Sequence, residues 1–158
     1  MTTNTNNEAK MIELLAKWTG EDADSITQER SDTWGLCTFQ VGSDTYAVGT
    51  DDECQAACAA YIEDSVWAFN ARFLLEACDL PMELDEAIAA FQRKECEGAN
   101  EALLRLVKTT CGLEALVRKA IGADGRGHFL ASYDGEEIYL HPYEEGIEGE
   151  GFFAYRIA

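Results

Sequence analysis

From Glu8 to Trp18 the apolar residues Met11, Leu14, Leu15 and Trp18 recur at three- and four-residue steps. That period predicts an amphipathic helix, capped by Asn7 and ended by Gly20. Glu21 to Asp32 is polar and acidic and reads as a loop or a short helical turn. Trp34 to Val41 then alternates loosely, Gly42-Ser43-Asp44 supplies a turn, and Thr45 to Thr50 returns with Tyr46 and Val48. This is a hairpin signal. Asp51 follows as a helix cap, with Asp52 and Glu53 in a first turn where the helix dipole favours acids. Cys54, Ala57, Cys58, Tyr61, Ile62, Val66, Phe69 and Phe73 continue at helical steps, as one long helix or two broken near Asn70.

Leu80-Pro81 stops that pattern. A further helix is predicted over Leu84 to Cys96, with Leu84, Ile88 and Phe91 inward. Gly98 separates it from a helix over Asn100 to Thr109, where Leu103, Leu104 and Val107 recur. Gly112 precedes a last one over Leu113 to Ile121, with Leu116, Val117 and Ala120 buried. Gly122 to Gly127 is too glycine-rich for a helix and reads as turns. Beyond an Asp134-Gly135 turn, Glu137 to His141 and Phe152 to Ile157 alternate as strands, separated by the acidic loop Tyr143 to Gly151. The expected fold is α+β: an antiparallel sheet from an early and a C-terminal β-hairpin, packed with about four to five central helices. The 158 residues fit a single domain, with residues 1–6 as a flexible lead.

Charge changes the picture most. The formal net charge is −18, while hydrophobic residues still make up 47% of the chain, enough for a core. The imbalance is uneven: residues 93–126 carry seven basic and five acidic side chains, so that segment is +2 and the remainder −20. Such a field repels nucleic-acid phosphates and anionic membranes, so no direct nucleic-acid or membrane binding is expected. It favours a basic partner, either a cationic groove on another protein or several divalent cations. Acids arrayed on one face at spacings near those of strand phosphates, roughly 6–7 Å, would let the surface stand in for nucleic acid. The N-terminus has no basic segment followed by an apolar run, and no apolar stretch reaches membrane length. The six cysteines fall mostly at apolar helical positions, which predicts buried free thiols in a reducing cytoplasm.

Candidate chemistry is sparse. His128, flanked by glycines, could act as a base or metal ligand, with Arg126 as an anion clamp and Asp134 as an orienting group. That is the enzymatic or ligand-binding alternative, centred on the Asp124–Glu137 loop. The bland reading of His128 is a side chain that satisfies turn backbone groups. No metal-ligand spacing joins His128 or His141 to the cysteines, and Asp124, Asp134, Glu136 and Glu137 match no calcium loop, so neither a metal nor a cofactor is expected. No Gly-Lys-Ser/Thr follows the glycines, and no serine has an elbow context. Cys54 and Cys58 read as core, and Trp67-Ala68-Phe69-Asn70 as packing around a helix break.

Three stretches carry a resemblance: Asp64-Ser-Val-Trp-Ala-Phe-Asn70, the glycine-rich run Ala123 to Glu137, and Phe153-Ala-Tyr-Arg-Ile157. Together, from about Trp34 onward, they resemble an uncharacterised family of small acidic tailed-phage and prophage proteins. The resemblance implies an accessory viral product in the cytoplasm of a bacterial host and carries over no catalytic residue. Small acidic phage proteins include inhibitors of restriction and CRISPR nucleases, some of them DNA mimics. The expected function is therefore a non-enzymatic protein that binds a basic, nucleic-acid-binding host protein. Its expected contacts are Asp51, Asp52, Glu53, Asp134, Glu136, Glu137, Glu144, Glu145, Glu148 and Glu150. The oligomeric state is open.

Overall fold

The computed structural model describes residues 2–142 and 149–158, except for the side chains of residues 2–4, 31 and 32. The fold is α+β, with seven α-helices and one five-stranded antiparallel sheet among the described residues. The chain divides into two compact units, Met1–Cys58 with Arg126–Ala158, and Ala59–Gly125. No helix among the described residues is long and apolar enough to cross a membrane.

The first unit holds α1 (Thr2–Thr19), β1 (Thr27–Thr33), β2 (Leu36–Val41), β3 (Asp44–Gly49), the start of α2 (Asp51–Asp64), α7 (Arg126–Leu130), β4 (Ile138–Leu140) and β5 (Phe152–Arg156). Strand order is β1-β2-β3-β5-β4, so the early meander and the terminal hairpin share one sheet through β3 and β5. Successive strand residues point to opposite faces. The register Phe39↔Tyr46, Val48↔Ala154 and Leu140↔Phe152 places these residues on one face, where they pack under Met11, Leu14 and Leu15 of α1. The register Ala47↔Tyr155, Gly49↔Phe153 and Tyr139↔Phe153 places Tyr139, Phe153 and Tyr155 on the other face.

The second unit is helical. Beyond the remainder of α2 lie a 3-10 turn (Val66–Ala68), α3 (Ala71–Ala77), α4 (Asp85–Glu95), α5 (Asn100–Thr109) and α6 (Leu113–Asp124). The break expected near Asn70 is there: its Oδ1 accepts from Arg72 N at 2.9 Å and Phe73 N at 3.4 Å, starting α3. Asn100 fixes the other side of that break. Its Nδ2 donates to Glu63 O (2.9 Å), and its Oδ1 accepts from Trp67 N (3.1 Å). Gln92 Nε2 donates to the carbonyls of Trp67 and Phe69. Two side-chain amides thus satisfy backbone groups that the interrupted helix leaves open.

Several expectations are corrected. The segment read as a loop contains β1, whose Thr27, Gln28, Glu29 and Arg30 are all exposed. These four residues of the edge strand show no buried side and therefore no alternation to read, and the charges of Glu29 and Arg30 deter further pairing. Trp34 is not in a strand. It forms the β1–β2 turn with Gly35, at φ 56° and 86°, a positive-φ pair that suits a two-residue hairpin. Asn7 lies inside α1, because no glycine or proline stops the helix from extending back to Thr2. The glycine-rich segment is mostly helical: α6 runs through Gly122, Gly125 turns at φ 79°, and Gly127 lies in α7. In α4 no residue is fully buried, and Leu84 is exposed just before it. Cys96 is exposed rather than core, though all six thiols are free.

Replacing Asn100 with alanine should leave Trp67 N–H and Glu63 C=O unpaired and cost about 2 kcal/mol of stability, read as a lower urea midpoint. An unchanged midpoint would show that the amide plays no part in holding the break.

Candidate functional site

The site grows from the end of β3. Gly49 closes the strand opposite Phe153, and Thr50 follows as the cap of α2. Thr50 N donates to Glu53 Oε2 (2.9 Å) and Glu53 N donates to Thr50 Oγ1 (3.2 Å). This reciprocal capping box corrects the expected cap by one residue: Thr50 is the cap and Asp51 is the first helical residue. The box projects Asp51 and Asp52 beside the face that carries Phe153 and Tyr139.

Arg126, the first residue of α7, reaches under this rim. Its side chain is 9% exposed. Nη1 donates to Asp51 Oδ1 (2.8 Å) and Asp51 O (3.2 Å), and Nε donates to Glu137 Oε2 (2.8 Å). The guanidinium also lies 4.5 Å from the centre of the Phe153 ring. Tyr155, fully buried, donates its hydroxyl to the same Glu137 oxygen at 2.5 Å. Burial works against the charge on Arg126, but the bonds to Glu137 and Asp51 and the nearby phenol outweigh it, so the guanidinium is held above its ordinary value. Burial, reinforced by Glu137, drives the Tyr155 phenol well above its own. Burial likewise pushes the Cys54 thiol up to about 12, against a lowering hydrogen bond with Tyr155, and the Cys58 thiol up to about 11. These thiols are inert core groups.

Gly127 makes the arrangement possible. A Cβ there would fall 2.9 Å from Glu136 C and Glu137 N, so α7 touches the backbone that leads into β4. This close approach brings Glu137 to Arg126. Gly151 serves Tyr139 in the same way, since a Cβ would lie 2.6 Å from the ring.

Above the Phe153 ring opens a cleft of about 840 Å³ lined by Thr50, Asp51, Asp52, Tyr139, Pro142, Glu150 and Phe153 among others. Three carboxylates face two aromatic rings whose centres are 4.9 Å apart. Arg126 lies against Phe153 and is already paired with Asp51 and Glu137, and Lys10 Nζ approaches the rim at Gly149, 3.5 Å from where a Cβ would stand. Such walls suit an ammonium or guanidinium group.

Of the expected partner contacts, Asp51, Asp52 and Glu150 meet in this cleft. Glu137 is turned inward to Arg126 and Tyr155, and Glu53 is occupied by the cap. Asp134 accepts from Glu136 N at 3.0 Å in the turn at Gly135, and Glu136 is exposed. Glu144, Glu145 and Glu148 lie outside the described residues. In the alternative trio, His128 is exposed with its ring edge-on to Phe129, 4.9 Å between centres. The hydrogen bonds of Arg126 go to Asp51 and Glu137 and that of Asp134 to Glu136, so none of these links the trio. Among the described residues, no three His, Cys, Asp or Glu side chains gather to hold a metal ion. Tyr139, Phe153 and Tyr155 were missed as site residues, although the alternation of the last two strands already placed them on one face.

Two glycines in one short segment should respond oppositely to alanine. Gly127→Ala should cost about 2 kcal/mol through backbone collision. Gly122→Ala, in α6 with open space around it, should stabilise by about 0.5–1 kcal/mol. Denaturant midpoints for both variants check this, and a shared sign would contradict it. Stability should also fall as pH rises above about 9. There the thiols of an unfolded chain ionise while Cys54 and Cys58 in the folded chain remain protonated to about 12 and 11, so the folded state binds more protons. Tyr155 adds the same sign above about pH 10. Urea midpoints from pH 7 to 11 measure the decline, and a flat profile would be the contrary result.

Compared with protein-family models, curated proteins and solved structures, the chain shows no match to any of them.

Proposed function

We propose that this chain is a non-enzymatic interaction protein that binds a basic face of another protein through the acidic, aromatic-walled cleft at the start of α2. The observation that carries the reading is the convergence of Asp51, Asp52 and Glu150 on Tyr139 and Phe153, beside an arginine that is already neutralised. A lysine or arginine from the partner fits such a cleft, gaining both charge pairing and an aromatic face. The exposed Glu53, Asp134 and Glu136 extend the same sign on the same unit.

The net charge of −18 supports a partner whose basic face otherwise holds nucleic acid. On this reading the protein is a phage-type accessory factor in the cytoplasm of a bacterial host. It competes with DNA or RNA for a defence protein such as a restriction or CRISPR nuclease. Binding is fast and salt-sensitive, because long-range attraction guides the encounter.

Capture from bacterial lysate should recover nucleic-acid-binding proteins at low salt and lose most of them at roughly 0.5 M salt, where charges are screened beyond a few ångströms. Added duplex DNA should displace them. The double reversal Asp52→Lys with Glu150→Lys should weaken capture tenfold or more while leaving the Arg126 pairs in place. Capture indifferent to salt and to the reversal, or direct binding of the chain to DNA or RNA, would end the proposal.

A further inference from the structure

The second unit brings two cysteines, distant in sequence, face to face. Cys78 closes α3, its N–H bonded to Leu74 O at 3.0 Å, and Cys111 lies in the turn between α5 and α6. Their Sγ atoms are 3.0 Å apart. Cys78 is 6% exposed, whereas Cys111 is half-buried and within reach of solvent. Lys119 approaches the same end of α3, with Nζ donating to Ala77 O at 2.6 Å, and its charge favours a thiolate on Cys111. Among the described residues no other two thiols are hydrogen-bonded to each other. Cys54 and Cys58 are fully buried on α2, and Cys96 is exposed with its Sγ turned to Arg93 O.

We propose that Cys78 and Cys111 are a modification site, a dithiol that closes to a disulfide when the surrounding thiol pool becomes oxidised. The sulfurs need approach by only about 1 Å to bond, since a disulfide measures about 2.05 Å. The accessible Cys111 reacts first. Its thiolate attacks a small-molecule disulfide such as glutathione disulfide, forming a mixed disulfide and releasing one thiolate. Cys78 then loses its proton and attacks Cys111 Sγ, releasing the second glutathione thiolate. Both released thiolates take up protons. The protein loses two electrons and two protons, and the glutathione disulfide gains both. Burial and the bond to Cys78 push the Cys111 thiol up to about 11, against Lys119, so exchange at neutral pH is slow and reaches equilibrium over hours. The closed form ties the end of α3 to the α5–α6 turn across a separation of 33 residues.

The test uses the full chain, reduced and then equilibrated in glutathione buffers of increasing oxidised fraction. Samples are acid-quenched, unfolded, alkylated and weighed. Two of the six cysteines should become resistant to alkylation with a loss of about two mass units, and a peptide map should join Cys78 to Cys111. The thermal midpoint of the oxidised chain should rise by roughly 10 °C, because the crosslink restricts the unfolded chain. Cys78→Ser should leave a glutathione adduct on Cys111, while Cys111→Ser should leave Cys78 unmodified. Six alkylated cysteines at the most oxidising ratio, or a link through Cys37, Cys54, Cys58 or Cys96, would overturn the proposal. The wild-type map decides the matter even if a variant does not fold.

Discussion

The neutralisation of Arg126 is the constraint on which the first unit depends. A guanidinium this buried is costly unless its donors are met by carboxylates, and leaving it unpaired would destabilise the fold. Asp51 at the head of α2 and Glu137 at the approach to β4 meet it, and the Phe153 ring of β5 lies against it. Four elements are therefore referenced to one charge. Tyr155 shares the Glu137 oxygen, so the phenol, the carboxylate and the guanidinium form a single network and not separate contacts. Because Arg126 already uses Glu137 and Asp51, it is a structural cation. The residual negative charge of Asp52 and Glu150 faces outward.

This arrangement explains how a chain with so large a net charge can keep a compact core. Like charges oppose compaction, and the fold answers by placing most acids at solvent and by pairing several of its cations. Arg156 with Asp44 and Lys108 with Glu63 follow the same rule as Arg126. The sheet keeps one face for α1 and gives the other to aromatic residues and the arginine. Acidity and aromatic surface therefore meet at the border between the sheet and the cap of α2.

Much of this was legible in the sequence. Helical spacing located α5 over Asn100 to Thr109, and the break at Asn70 followed from a polar residue interrupting an apolar stripe. The failures have physical causes. β1 is an exposed edge, so it carries no hydrophobic period. The glycine-rich segment is helical because Gly127 is needed for close approach to residues 135–137, a tertiary demand that local propensity cannot express. At the site, the list of acids could be written from composition, but their division could not. Whether a carboxylate faces a partner or an internal arginine depends on which strand lies beside which, and β3 beside β5 is a pairing between residues about a hundred positions apart.

The pairing of β3 with β5 also bears on how neighbouring acids are used. Glu137 and Asp51 are chemically identical to Glu136 and Asp52 beside them. Glu137 and Asp51 both accept from Arg126, and Glu137 is also bonded to Tyr155, whereas Asp51 stays exposed and lines the cleft together with Asp52. Glu136 and Glu137 lead into β4, and the Glu137 side chain turns to Arg126 and Tyr155 while Glu136 stays at solvent. After Thr50 the helical step sets Asp51 and Asp52 about 100° apart around the axis, so Asp51 meets Arg126 while both remain on the cleft. The acids that line the cleft are thus selected from an acidic sequence by the periods of its secondary structure. The arginine holds Glu137 under the rim and leaves Asp51, paired but exposed, on it.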